Sequence, residues 1–135
     1  MRSHTEQVTI NVDSRHLFAF LADPANLPRW AVGFCRSIRR DGDRWFAQTP
    51  QGEVAVRYTT HPDLRVIDFH ISSAPGTEAT AFSRVLPNGD GSEYVFTQFQ
   101  APGMPDAVFE AQVRALKEEL VVLRALMNAQ AACPA

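Results

Sequence analysis

The chain has 135 residues, a length typical of one domain. Its 13 basic and 15 acidic residues give a formal net charge of −2 at pH 7, and this near-balance argues against a nucleic-acid partner, which would be bound through clustered lysine and arginine. Apolar residues make up 45% of the chain, which excludes a disordered polypeptide. We therefore expect a single domain over residues 1–135, with residues 131–135 as a loose tail.

Cysteine and histidine usage gives no sign of a metal or disulfide framework. The two cysteines, Cys35 and Cys133, form no CxxC pair, and the four histidines are scattered over separate predicted elements. No segment approaches the about 18 consecutive apolar residues that cross a membrane, and the first residues lack the apolar core of a signal peptide. These features predict a cytoplasmic protein with no metal, no cofactor and no membrane span.

The first elements are a strand and two short helices. Apolar and polar residues alternate over Val8–Val12, which is typical of a half-buried strand. The pair Asp13–Ser14 can cap a helix, which we expect to end before Pro24 because the residue preceding proline avoids helical geometry. A second short helical turn leads to Trp30, and we expect Pro28 to interrupt it.

A continuous series of strands follows, connected by short turns rich in Gly, Pro and Asp. Such short connections favour antiparallel pairing between consecutive strands. The predicted strands are Phe34–Arg40, Arg44–Thr49, Glu53–Thr60, Arg65–Ser73, Thr77–Leu86 and Ser92–Gln100.

The last element is a long amphipathic helix, because the apolar period changes to three and four residues after Pro105. Its apolar stripe consists of Phe109, Val113, Leu116, Leu120, Leu123 and Met127. Its opposite side carries Glu110, Arg114, Lys117, Glu118 and Arg124.

A seven-stranded antiparallel sheet and one apolar helix pack most economically when the sheet curves around the helix. This element order, together with the Asp-Pro…Trp turn at residues 23–30, resembles the helix-grip (SRPBCC) superfamily over Glu6–Met127. That superfamily includes START domains, Bet v 1-like proteins and polyketide cyclase/dehydrase-like proteins. The resemblance implies an α+β helix-grip fold: a curved seven-stranded antiparallel sheet wrapped around a long C-terminal helix, with two short helices between strands 1 and 2.

Pairing the strands about their turns predicts one mostly apolar inner face. The five turns are expected to pair Ile38 with Trp45, Trp45 with Val56, Val56 with Phe69, Phe69 with Ala81, and Ala81 with Gln98. The small residues on this face predict a cavity in the usual range of ~300–1,000 Å³. The candidate ligand-binding residues are Trp30, Arg36, Trp45, Val56, Tyr58, Phe69, Ala81, Ser83, Phe96, Gln98, Leu116 and Leu120.

The polar members of this set have two interpretations each. Tyr58, Ser83 and Gln98 bond either to neighbours and water or to the polar end of a ligand. Arg36 either pairs with a ligand carboxylate or enolate or extends to the rim of the sheet. Trp30 either borders the mouth of the pocket or plugs the core.

Three functions remain open. The first is binding of a small hydrophobic molecule, such as a lipid, an aromatic or a polyketide-like compound, between sheet and helix. The second is a polyketide cyclase/dehydratase-like enzyme, in which Tyr58 and Arg36 would serve because no Asp, Glu or His is predicted on the inner face. The third is a partner-binding module resembling Hsp90 activators.

The outer face is predicted to be charged, with Glu53, Arg57, Asp68, His70, Glu78 and Arg84. Arg57 is expected directly opposite Asp68, and together with His70 these residues form either a solvated surface or, less simply, a catalytic cluster. Apolar residues on the same face predict a weak homodimer that uses either this face or the edge of the sheet; they are Phe46, Phe82, Val95 and Phe99.

Overall fold

The computed structural model describes residues 1–132, with side chains as far as Gln130. The elements in chain order are β1 (Ser3–Ile10), α1 (Ser14–Ala22), a 3₁₀ turn (Pro24–Asn26), α2 (Leu27–Trp30), β2 (Ser37–Asp41), β3 (Arg44–Thr49), β4 (Gly52–His61), β5 (Val66–Ala74), β6 (Thr77–Asn88), β7 (Gly91–Phe99) and α3 (Asp106–Ala132). The predicted fold class is confirmed. Helix α3 extends into the predicted tail, of which residues 133–135 lie outside the described residues.

The strands form one antiparallel sheet in the order β1-β7-β6-β5-β4-β3-β2. Each strand from β2 to β7 pairs with its neighbour in the chain, as the short connections predict. Strand β1 instead pairs with β7, with Ser3 opposite Phe99 and Ile10 opposite Ser92. It begins five residues before the predicted Val8, because pairing with β7 continues through its polar half.

The register agrees with the prediction in three of the five turns. Trp45 lies opposite Val56 and Phe69 opposite Ala81. The pairing of Ser83 with Phe96 matches the register predicted for the fifth turn.

Two turns shift the predicted partners by two residues. Ile38 lies opposite Ala47 rather than Trp45, because Gly42, at φ +64°, and Asp43 make a two-residue turn. In the same way Phe69 lies opposite Tyr58 rather than Val56.

The second shift also changes the outer face. Arg57 lies opposite His70 and not opposite Asp68, because the connection between β4 and β5 consists of residues 62–65 and closes through Arg65 at φ 56°. Side chains alternate along a strand with a period of two, so a shift of two residues leaves every side chain on its predicted face.

An aspartate caps α1, and another, Asp23, caps the 3₁₀ turn. Asp13 accepts hydrogen bonds from the backbone N–H groups of Arg15 and His16, at 2.9 and 3.2 Å, and so satisfies two free donors of α1. The prediction that Pro28 interrupts the second helix is wrong. Pro28 lies in the first turn of α2, where the missing N–H costs no helical hydrogen bond.

The core lies between the concave face of the sheet and α3, which packs mainly against β1 and α2. Its most deeply buried residues include Leu120, Leu123 and Met127 from α3, and Val85 and Tyr94 from the sheet. Within residues 1–132, no helix is long and apolar enough to cross a membrane.

Candidate functional site

The concave face of the sheet is covered by α3 near β1 and only half covered farther away. Val56, Phe69 and Ser83 are buried, whereas Ala79 is exposed at the far end. Between them lies a set of partly buried apolar residues that pack against the core, which we call the concave groove: Phe34, Ile38, Val54, Tyr58, Ile71, Ala81 and Phe96. The structure thus presents an apolar surface that opens toward solvent beside α3.

Aromatic rings fill the interior next to this groove. Phe69 is at the centre of these rings. The centroid of its ring is 4.8 Å from that of Tyr58, 5.7 Å from that of Phe96 and 6.3 Å from that of Trp30. Trp30 is also 6.3 Å from Tyr94 and is only 3% exposed. Trp30 is therefore a core residue, and the rings occupy volume that the small residues of the sheet would otherwise leave open.

The predicted ligand-binding residues divide by burial. Arg36 is exposed, so its guanidinium is not a buried charge that needs a ligand carboxylate. The fully buried members are Trp30, Val56, Phe69, Ser83, Leu116 and Leu120. The half-exposed members, which a ligand can reach, are Trp45, Tyr58, Ala81, Phe96 and Gln98.

Four buried side-chain polar atoms have no close hydrogen-bond partner among the described residues: the hydroxyls of Tyr58 and Tyr94, the Nε2 of Gln98 and the Nε of Arg65. Arg65 lies in the connection between β4 and β5, and Tyr94 has Ser83 as a hydrogen-bonding neighbour that lowers its pKa. An unsatisfied buried polar group costs ~1–3 kcal/mol, so each of these atoms is a place where a ligand can contribute a hydrogen bond. Ser83 differs, because its hydroxyl donates to the carbonyl of Ile67 at 2.7 Å.

Both tyrosine hydroxyls remain protonated donors at neutral pH. Burial is the largest cause that raises the pKa of Tyr58 and of Tyr94, because the phenolate would be desolvated. A protonated phenol can donate one hydrogen bond and accept others. Tyr58 and Tyr94 can therefore contact a neutral or an anionic oxygen.

A buried carboxylate, which the sequence analysis missed, contacts the backbone beside Phe34. Glu119 of α3 is 7% exposed, and its Oε2 accepts hydrogen bonds from the N–H groups of Gly33 and Phe34, both at 3.1 Å. Burial raises the pKa of Glu119 to about 7, and these two hydrogen bonds oppose the rise. Burial and the nearby Glu119 also raise the pKa of the Cys35 thiol to about 11.

The spacing of Glu119 relative to the apolar residues of α3 could have indicated that its side chain faces the core. Glu119 lies three residues after Leu116 and four residues before Leu123, on the flank of the apolar stripe.

The prediction that no Asp, Glu or His lies on the inner face of the sheet is wrong for strand β1. His4 and Glu6 alternate with the outward residues of β1, lie on the concave side at its edge, and contact each other at 2.8 Å.

The outer face does not form the catalytic cluster considered above. His70 is held between the hydroxyls of Thr59 and Thr80, at 2.8 and 2.9 Å, and Arg57 contacts Glu78 at 3.3 Å. These contacts connect neighbouring strands on a convex surface without a cleft.

Two depressions lie at the periphery, away from the concave groove. One, of about 280 Å³, is lined by β1 and α3 residues that include His4 and Phe109. The other, of about 380 Å³, lies between Phe18 of α1 and the 62–65 connection. In the described part of the chain, no three His, Cys, Asp or Glu side chains are grouped as a metal site would require.

Solved structures with this fold have low sequence identity to the chain. A START superfamily protein from Mycobacterium smegmatis is similar, with a TM-score of 0.69 and 14% identity over 95% of this chain and 98% of that one. The Aha1 dimer from Colwellia psychrerythraea gives a TM-score of 0.70 and 14% identity, over 95% of this chain and 97% of that one. These similarities show the fold alone.

The di-domain ARO/CYC protein BexL, from the BE-7585A biosynthetic pathway, is also similar. Its TM-score is 0.73 at 17% identity, over 93% of this chain and 46% of BexL.

No curated protein matches the sequence. The family model described as "Polyketide cyclase / dehydrase and lipid transport" matches residues 1–128. Both the architecture and this match show that the chain belongs to the polyketide cyclase/dehydrase and lipid-transport family, within the helix-grip superfamily.

Proposed function

We propose that this protein binds a small, mainly apolar molecule in the concave groove, with one polar end of the ligand bonded by Tyr58 or Gln98. One observation carries the proposal. Partly exposed apolar residues from β2, β4, β5, β6 and β7 form one surface, and two buried polar atoms without protein partners border it. Apolar contact supplies affinity, and the polar atoms supply orientation.

The ligand class follows from the surface and from the family. A lining of aromatic and aliphatic side chains gains ~25 cal/mol per Å² of apolar area removed from water, before the costs of association. Flat ring systems and acyl chains both suit such a lining. The family description names both polyketide chemistry and lipid transport, which supports a lipid, an aromatic or a polyketide-like compound.

The test is to fill the groove. Ala81 is half-exposed and lies opposite Phe69, so Ala81→Trp places an indole ring in the groove. We expect this variant to fold and to lose binding of an environment-sensitive apolar dye. Ala55→Trp is the matched control, because Ala55 lies on the convex face, opposite Phe46. If Ala81→Trp binds the dye as tightly as the parent does, the concave groove is not the binding site.

A second variant tests orientation. Tyr58→Phe removes the unpartnered hydroxyl and keeps the ring that packs on Phe69. Loss of one hydrogen bond costs ~0.5–1.5 kcal/mol, a few-fold in affinity. We expect Tyr58→Phe to weaken ligands that have a polar end and to leave a purely apolar dye unaffected. Equal weakening of both would place the hydroxyl outside the contact.

We also propose a weak homodimer through the convex face. Phe82 and Phe99 are 47% and 40% exposed, and their ring centroids are 6.0 Å apart. Phe46 is less available, because the guanidinium of Arg39 lies 4.4 Å from its ring centroid. The apolar pair therefore supports association at Phe82 and Phe99.

A further inference from the structure

We propose that a second site, separate from the concave groove, binds a small aromatic carboxylate. It is the depression of about 380 Å³ between α1 and the connection from β4 to β5, which we call the α1 depression. Its lining residues are Arg15, Phe18, Pro62, Asp63 and Arg65, and none of them is a residue of the concave groove. The volume falls within the ~300–1,000 Å³ that is usual for small-molecule sites.

Arg65 supplies the positive charge that anchors the ligand. It is partly buried, and its Nε has no acceptor within hydrogen-bond distance among residues 1–130. The ion pairs of the same residues do not include Arg65. A guanidinium cannot lose its charge at neutral pH, and partial burial strengthens its attraction to an anion relative to bulk water. Within the described chain this charge has no counter-ion, and a bound carboxylate would provide one.

The backbone conformation of Arg65 supports a role for its side chain. At φ 56° it is the one non-glycine residue with left-handed backbone in the part of the chain that the structure describes. Glycine adopts this conformation without the steric cost that a side chain brings. Strained residues of this kind concentrate at binding sites. An arginine here therefore indicates that the side chain is used, because the turn alone would be served better by glycine.

The connection holds Arg65 in a fixed position. The N–H of Arg65 donates to the carbonyl of Pro62 at 3.3 Å, and the N–H of Val85 donates to the carbonyl of Arg65 at 2.9 Å. Arg84 also donates from its Nε to the carbonyl of Leu64 at 3.0 Å. Three hydrogen bonds thus fix a connection of four residues, so little backbone freedom is lost when a ligand binds.

The other lining residues determine the class of ligand. Arg15 of α1 is exposed and, like Asp63, takes part in no ion pair of the described residues. Two guanidinium groups and one carboxylate give the α1 depression a net charge of 2 − 1 = +1, which suits a monoanion. The planar guanidinium matches a carboxylate in shape and hydrogen bonding. Phe18, which packs on the core, offers its ring to the apolar part of the ligand.

The first experiment measures the binding of benzoate, benzamide and acetate by calorimetry at pH 7. We expect benzoate to bind at least about tenfold more tightly than benzamide, which has the same shape and no charge. Acetate should also bind at least about tenfold more weakly, because it has no ring to contact Phe18. Benzamide binding as tightly as benzoate would overturn the recognition of charge, and acetate binding as tightly would overturn the contact with the ring. No binding of benzoate would overturn the proposal.

The second experiment locates the site with variants. Arg65→Gly should weaken benzoate at least about tenfold without lowering the melting temperature, since glycine adopts the left-handed backbone freely. Arg15→Ala should weaken benzoate a few-fold, and because Arg15 is exposed this change leaves the core intact. The matched control is Arg114→Ala, which removes the same charge from the other depression, beside Phe109, and should retain the parent affinity.

Ala81→Trp separates this site from the concave groove. We expect this variant to lose the apolar dye and to keep its affinity for benzoate. If Ala81→Trp loses benzoate as well, benzoate binds in the concave groove, and the proposal of a second site is overturned while the proposed function stands. Parent affinity for benzoate in Arg65→Gly or in Arg15→Ala would likewise overturn the assignment to the α1 depression.

Discussion

Glu119→Gln is the substitution for which the structure allows the most complete prediction. The amide has the shape of the carboxyl group, and its Oε1 can accept the hydrogen bonds from Gly33 and Phe34. The substitution therefore removes the proton equilibrium at this position and keeps the packing. Its effect on stability should depend on pH.

The sign and size follow from the pKa. Burial raises the pKa of Glu119 from 4.5 to about 7 in the folded protein. Between these values the folded state holds a proton that the unfolded chain has released, so the free energy of unfolding falls as pH rises, by at most ~1.4 kcal/mol per pH unit. This decrease in the free energy of unfolding is absent below pH 4.5 and complete above about pH 7. It totals about 3 kcal/mol.

The assay is urea unfolding of the parent, Glu119→Gln and Glu118→Gln at pH 5 and pH 8. The other titrating groups are common to all three proteins, so the difference between variant and parent isolates position 119. We expect the stability of Glu119→Gln relative to the parent to rise by about 2.5 kcal/mol from pH 5 to pH 8. Glu118→Gln should show no such change. A relative stability of Glu119→Gln that is the same at both pH values would refute the account of a buried, protonated carboxyl group.

Three further substitutions test the core and the surface. Leu120→Ala should cost ~2–5 kcal/mol in chemical denaturation, because Leu120 is 2% exposed beneath α3; a loss near zero would mean that this face of the helix is not packed. Tyr58→Phe should leave the free energy of unfolding unchanged or raise it by up to ~1 kcal/mol, since it removes a buried hydroxyl without a protein partner among the described residues. A clear loss of stability would reveal a hydrogen bond to that hydroxyl. Phe82→Lys should abolish concentration-dependent association in sedimentation velocity, and a parent protein that stays monomeric at high concentration would exclude the homodimer.

The fold was accessible from the sequence because its signals are periodic and local. The alternation of β3 to β7 and the three-four spacing of α3 each repeat over many residues, so single errors do not change the outcome. The partners of Ile38 and Phe69 were wrong by two residues, because turn length depends on backbone geometry such as the left-handed Arg65. The faces were still right, since a shift of two preserves the alternation.

The site was harder to predict because burial depends on which element covers which strand. Trp30 and Phe96 are both aromatic, yet Trp30 is buried against Phe69 and Tyr94 whereas Phe96 is half-exposed, and this difference depends on how distant elements pack. Glu119 was missed for a related reason. A carboxylate is normally assigned to the solvent side of a helix, and its burial here depends on amides of Gly33 and Phe34, which are distant in the sequence.

The pairing of β1 with β7 has a consequence for the order of folding. Residues 3–10 remain without a sheet partner until residues 91–99 have been synthesised, and closing such a long loop is slow. Among themselves, strands β2 to β7 pair neighbour with neighbour along the chain, so these six strands can assemble first. The apolar concave surface then stays uncovered until α3 follows, and this interval is when the nascent chain is most exposed to aggregation.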